Sequence, residues 1–296
     1  MKTPIFTGCA AALATPFRNG GLDGEALKNT IDFAITGGCA AIVPAGTTGE
    51  SATLSYAEHR ALIGAAVRAA AGRVPVIAGA GSNSTDHALT LVRQAEDAGA
   101  DALLLVTPYY NKTSQSGLIR HYTYLADRTP LPILLYDVPS RTGMRILPET
   151  LAVLSRHKGI YGVKAAGTDV EELSRAMRLC EKDFCFYSGN DGLTLPLMAL
   201  GAKGVVSVAA NLVPEGMSEL TRLCLAGDFR SAAAVHYEYL ELMDALFTDV
   251  NPVPLKAAME ICGMCSGEVR LPLTELSIEK REKLKSVLEG YGLTGG

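Results

Sequence analysis

Several features are scarce or missing in this chain of 296 residues, and each absence closes a class of function. No apolar run approaches the roughly 20 residues of a membrane-spanning helix. The formal net charge is only −4, which gives no reason to expect nucleic acid or an anionic membrane as partner. The seven cysteines are odd in number and lack the spacing of a disulfide framework. Cys262-Gly263-Met264-Cys265 has no second pair and no histidine pair to complete a zinc site. Reduced thiols in a cytoplasmic protein are the reading that follows. The five histidines (His59, His87, His121, His157 and His236) are scattered and none falls at a strand end, so metal chemistry is poorly supported. His59 reads as a helix-surface or interface residue. No low-complexity tract occurs. With 48% hydrophobic and 20% charged residues, the chain can build a full core in one large domain, or in a domain with an appendage. Lys2 and the apolar residues after it resemble a signal peptide faintly. That segment is short and Ala-dominated, and it is read as part of the fold.

What is present is a rhythm. Strand-like apolar runs fall at 10–17, 40–45, 74–79, 102–107, 133–138, 160–164, 184–188 and 204–209, each followed by a helix-like segment. The runs are nearly continuous in Val, Ile, Leu and Ala, as in parallel strands buried on both faces. Ser55-Tyr56-Ala57-Glu58 and Thr168-Asp169-Val170-Glu171 carry the pattern of a capping box. Gly37-Gly38, Gly72 and Gly99 stand where left-handed C-terminal caps close helices. Eight units within about 215 residues predict a (β/α)₈ barrel over 1–214. Helical periodicity without strands predicts a C-terminal helical appendage over 215–296. A doubly wound sheet is the rival, but Gly79-Ala80-Gly81-Ser82-Asn83-Ser84 lacks the last glycine of the dinucleotide fingerprint.

In such barrels the active site lies at the C-terminal ends of the strands, which makes sequence position a filter. Lys203 precedes strand eight and belongs to the opposite mouth. Lys112 is on a loop at the correct mouth, where solvent keeps it protonated. Lys164, in Gly162-Val163-Lys164-Ala165-Ala166-Gly167, ends strand six and points inward with no acid beside it in sequence. Desolvation disfavours an ammonium, and a neutral amine is what attack on a ketone requires. The alternative is a core lysine paired with a carboxylate from elsewhere in the fold. Tyr136, one strand over, reads equally as a proton carrier or as packing. Thr47 and Thr48 suit a hydroxyl relay, a carboxylate-binding turn with Gly49, or simple loop capping. Arg141 can hold a carboxylate by two parallel bonds, or it is a surface ion pair. The loops after strands seven and eight carry no Arg or Lys, which disfavours a phosphorylated substrate.

These residues have a familiar arrangement. Gly46-Thr47-Thr48-Gly49-Glu50-Ser51, Val106-Thr107-Pro108-Tyr109-Tyr110-Asn111, Tyr136-Asp137-Val138-Pro139-Ser140-Arg141-Thr142-Gly143 and Gly162-Val163-Lys164 together resemble the dihydrodipicolinate synthase family of pyruvate-dependent class I aldolases and synthases. The resemblance runs from Thr15-Pro16-Phe17 to Asn251-Pro252-Val253-Pro254-Leu255-Lys256. It implies that Lys164 forms a Schiff base with pyruvate. Tyr136, Thr47 and Tyr110 would relay protons, Tyr110 coming from a neighbouring subunit. It further implies that Thr48 holds the pyruvate carboxylate, that Val206 packs near the imine and that Gly189 shapes the pocket. Arg141 would receive the carboxylate of L-aspartate 4-semialdehyde. The implied product is 4-hydroxy-tetrahydrodipicolinate, at the entry to lysine and diaminopimelate biosynthesis. No cofactor is needed, and the implied assembly is a homotetramer, a dimer of tight dimers.

Two departures stand out. Ala165 follows the lysine where the family commonly has an acidic or polar residue. Ser51, Ala52, His59, Asn83 and Tyr109 match the allosteric site of lysine-sensitive members, but His87 stands where those have a glutamate. The alternative activity is a sibling aldolase cleaving a 2-keto-3-deoxy sugar acid, N-acetylneuraminate or 4-hydroxy-2-oxoglutarate. A non-catalytic ligand-binding barrel is the rival from another class.

Overall fold

A computed structural model describes residues 2–294. The eight barrel strands are β1 (Gly8–Ala12), β2 (Ala41–Val43), β3 (Ile77–Gly79), β4 (Ala102–Val106), β5 (Ile133–Asp137), β6 (Ile160–Ala165), β7 (Cys185–Ser188) and β8 (Gly204–Ser207). Their hydrogen-bonded order is β2-β1-β8-β7-β6-β5-β4-β3, and every pairing is parallel. A parallel bridge between Ile42 and Val76, with Gly79 N–H donating to the Pro44 carbonyl at 3.0 Å, joins β2 to β3 and closes the ring.

Strands covered on both sides bury every side chain, so β1 is Gly-Cys-Ala-Ala-Ala, buried throughout, and β5 begins with the apolar run Ile-Leu-Leu. The expected first strand reached Phe17, but β1 stops at Ala12. Proline at 16 has no N–H to extend a ladder. Phe17–Arg18 pairs instead with Gly21–Leu22 in a small antiparallel hairpin.

The barrel helices are α1 (Gly24–Thr36), α2 (Tyr56–Ala70), α3 (Thr85–Asp97), α4 (Gln115–Ala126), the one-turn α5 (Pro139–Thr142), α6 (Pro148–Ser155), α7 (Val170–Leu179) and α8 (Thr194–Ala199). Ser55 and Glu58 form the capping box that opens α2. At α7 the cap is Asp169 rather than Thr168, its carboxylate accepting from the Glu172 N–H. Four helices follow: α9 (Pro214–Leu225), α10 (Phe229–Ala245), α11 (Val253–Ile261) and α12 (Ile278–Gly290).

A division at 214 leaves α9 outside the barrel. Yet α9 packs against β1, β8 and α8 and buries Met217, Leu220, Leu223 and Cys224, which is the eighth-helix position. The appended helices therefore begin with α10, after the break at Gly227-Asp228. Among the described residues no helix is long and apolar enough to cross a membrane.

Candidate active site

Lys164 sits near the C-terminal end of β6 and is 6% exposed. Its position depends on an irregularity three residues earlier. Ile133 pairs with Ile160, but Leu134 then pairs with Gly162, so Tyr161 is an extra residue in the ladder. Such a bulge advances the register by one and re-aims the side chains beyond it. Without it Tyr136 would face Val163; with it Tyr136 faces Lys164. The Lys164 ammonium lies 4.4 Å from the centre of the Tyr136 ring. Among the described residues Lys164 has no ion-pair partner, whereas the other fully buried lysine, Lys256, reaches Glu50 at 2.8 Å.

Gly189, at the end of β7, explains how the lysine stem fits. A Cβ there would stand 3.0 Å from both Cγ and Cε of Lys164 and 2.9 Å from Cβ of Ala166. A side chain at 189 would thus displace the amine.

A cavity of about 440 Å³ opens above Lys164, lined by Thr48, Tyr136, Arg141, Gly189, Asn190 and Asp191 and walled outside by Met243 and Asp244 of α10 and by Phe247 just beyond it. Asn251 joins two of these groups. Its side-chain amide donates to the Thr48 hydroxyl at 3.1 Å, and its backbone carbonyl accepts from Arg141 Nη2 at 3.0 Å. Asp191 is 2% exposed, and its Oδ2 accepts from Val208 N–H at 3.0 Å and Ala209 N–H at 2.9 Å. Burial pushes this carboxyl up, while those amides, Ser207 and the nearby Lys164 charge pull it down. Asp137, next to Tyr136, is pushed up to about 7, chiefly by burial.

Other expected residues are placed elsewhere. Thr47 lies in the wall of an adjoining cavity of about 550 Å³, which shares Val138, Arg141 and Asn251 with the first. Tyr110 lines neither cavity; it is 92% exposed on a left-handed backbone of φ 68°. Val206 is buried in β8 opposite Ala10, and Val208 takes its place in the cavity wall.

Ser51, Ala52, His59, His87 and Tyr109 come together in the second cavity. Asn83 does not; it lines a separate cavity with Lys112 and Arg120. His59 is not a surface residue. It is 2% exposed, Nε2 donates to the Gly79 carbonyl at 2.7 Å, and burial holds its pKa below the usual histidine value. The α2 face that packs on the barrel simply includes a polar group that finds a backbone partner.

Asn251, Asp191 and Tyr56 were missed. Tyr56 lines the second cavity with its ring edge toward His87, centroids 6.3 Å apart. The sequence signals were the Asn251-Pro252 pair at the end of the matched segment and the place of Asp191 in the loop after strand seven. No group of three or more His, Cys, Asp or Glu side chains suited to a metal ion converges among the described residues.

The fold and site define a parallel barrel with a buried lysine at its C-terminal mouth that has no ion-pair partner among the described residues. Comparison with known proteins narrows the class. The model of the dihydrodipicolinate synthetase family matches residues 5–290. The 4-hydroxy-tetrahydrodipicolinate synthase of Syntrophus aciditrophicus is 48% identical over 291 residues, 98% of this chain and 100% of that protein. That of Geobacter sulfurreducens is 47% identical over 289 residues, with the same coverage. The dihydrodipicolinate synthase structure from Aquifex aeolicus superposes with a TM-score of 0.96 at 45% identity, covering 98% of this chain and 99% of that one. The chain belongs to the dihydrodipicolinate synthetase family.

Proposed function

We propose that this protein is a lyase that condenses pyruvate with L-aspartate 4-semialdehyde through a Schiff base on Lys164. The observation that carries the reading is a buried lysine with no carboxylate partner among the described residues, in register with Tyr136 at the catalytic mouth. The Lys164 amine attacks the pyruvate ketone carbon, and the ketone oxygen leaves as water. The iminium draws electrons from the methyl C–H, whose proton departs to leave an enamine. The enamine carbon bonds to the aldehyde carbon, and the aldehyde oxygen takes a proton. The acceptor's own amine then adds to the imine carbon and displaces Lys164, closing the ring of 4-hydroxy-tetrahydrodipicolinate.

Tyr136 carries protons to and from the intermediates of imine formation, Thr48 receives the pyruvate carboxylate, and Arg141 receives that of the acceptor. Thr47, in the adjoining cavity, passes protons from Tyr136 toward a Tyr110 supplied by a second copy. The exposure of Tyr110 supports that exchange and the homotetramer built from tight dimers. A cytoplasmic enzyme of lysine and diaminopimelate biosynthesis fits this reading.

The second cavity is the place for an effector. Glu50, its acidic lining residue, is committed to Lys256, and His87 stands where an acid would face an ammonium. Lysine therefore binds weakly here.

Incubation with pyruvate and borohydride, followed by mass spectrometry, tests the shared step: a reduced adduct on Lys164 is expected, and its absence would sink the reading. Coupled assays with aspartate semialdehyde against 2-keto-3-deoxy sugar acids separate the synthase from a sibling aldolase.

A further inference from the structure

Arg141 rides on the segment between β5 and α6, so the way that segment is held decides where its guanidinium points. Much of the segment closes on itself. Gly143 N–H donates to the Pro139 carbonyl at 2.9 Å, and the Thr142 hydroxyl donates to the Met144 carbonyl at 2.9 Å. Its far end is gripped from two other elements. Ile146 N–H donates to Asp137 Oδ1 at 3.1 Å. Gln115, the first residue of α4, donates from Nε2 to the Arg145 carbonyl at 2.9 Å and accepts from Leu147 N–H at 3.1 Å. Three consecutive residues thus have their backbone groups held by two side chains 22 positions apart in sequence.

Alternation along β5 explains why Asp137 is free for this. Tyr136 faces into the barrel toward Lys164, so Asp137 faces outward. There it lies in register with Ala165 and lines a cavity of about 30 Å³ with Arg145, Ile146 and Glu172. The small side chain at 165 leaves the carboxyl room, and an acid there would set a second negative group beside it. The half-burial that raises its pKa also strengthens the bond from the amide.

We propose that Asp137 and Gln115 are positioning residues for the acceptor half of the reaction. They clamp 145–147 and thereby hold Arg141 at the mouth of the Lys164 cavity. The proposal rests on the reading above, in which Arg141 receives the acceptor's carboxylate.

The test is steady-state kinetics on Asp137→Ala, Asp137→Asn and Gln115→Ala, each also made with Arg141→Ala. The two alanine variants should raise KM for aspartate semialdehyde about tenfold, with KM for pyruvate and borohydride trapping on Lys164 within about twofold. Asp137→Asn keeps an acceptor oxygen and should stay within about threefold of the parent. With Arg141 already removed, the added effect should vanish. An unchanged KM, an equal rise for both substrates, or an undiminished effect without Arg141 would overturn the proposal. If Asp137→Ala fails to fold, Gln115→Ala carries the same test. Amide exchange across 139–147 should quicken in both variants whether or not the protein turns over, and unchanged exchange would overturn the clamp. Failure of the parent protein to trap pyruvate would strike the functional reading instead.

Discussion

Lys164 and Lys256 are both buried, 6% and 0% exposed, and both set their ammonium over an aromatic ring, 4.4 Å from that of Tyr136 and 4.3 Å from that of Phe17. They differ in what else they meet. Lys256, on α11, donates to Glu50 Oε1 at 2.8 Å, and the other oxygen of Glu50 accepts from Arg270 N–H at 3.0 Å. Arg270 in turn pairs with Glu58, whose carboxyl it holds down at about 2. This network ties α11 and the segment between α11 and α12 to the loop following β2 and to α2. Lys164 has no such acid among the described residues, and a cavity stands open beside it. Burial alone therefore does not mark a nucleophile. The partner set does: Lys256 is held in place by a carboxylate, while Lys164 ends beside an open cavity where a substrate can reach it.

The sharpest break between the two is to remove each in turn. Lys164→Ala should abolish the pyruvate adduct and lower turnover at least about a thousandfold, with the melting temperature held or raised. Lys256→Met should do the reverse. Leaving Glu50 buried and unpaired costs about 3–5 kcal/mol, read as a fall in the denaturant midpoint, while the adduct still forms on the folded protein. Adding Glu50→Gln to Lys256→Met should recover much of that loss. Loss of trapping in folded Lys256→Met would collapse the distinction.

A smaller effect sharpens the Lys164 side. Tyr136→Phe keeps the ring under the ammonium and removes the proton carrier, so turnover should fall about a hundredfold while slow trapping persists. Unaltered turnover would return Tyr136 to packing.

The smallest effect concerns the acid beside this pair. Asp137 has a folded pKa of about 7, above the ordinary carboxylate value of about 4, with Arg145 and Glu172 facing it and Tyr122 of α4 within range of its charge. A raised acid binds its proton more tightly when folded. Its contribution to stability is therefore full at low pH and lost as pH rises through about 7. Asp137→Asn should melt with the parent at pH 4 and a few degrees above it at pH 8.5. A constant difference across that range would contradict the assignment.

Much of the site was legible because barrel chemistry is ordered along the chain. Lys164, Tyr136, Thr48 and Arg141 were singled out by their places at strand ends, and Gly189 by the family resemblance; one cavity is lined by all five. Asn251 was not, since its bonds to Thr48 and Arg141 span 203 and 110 positions and no local pattern announces them. His59 was misplaced because a helix periodicity shows that a face is buried without showing which polar group on it has a backbone partner. The place where the appended helices begin was misread for a related reason. One helix after the last strand looks like any other until its packing on β1 is known.

By itself the sequence determined the eight-fold alternation of apolar strands and helices and the lysine closing the sixth strand, since both follow from local patterning and burial. The tertiary structure alone decided that Tyr136 stands beside that lysine. The pairing depends on one extra residue, Tyr161, in the ladder between β5 and β6. It equally decided that Glu50 neutralises Lys256 rather than Lys164. Register and charge pairing are settled by which distant backbones meet, and a shift of one residue exchanges the inner face of a strand for the outer.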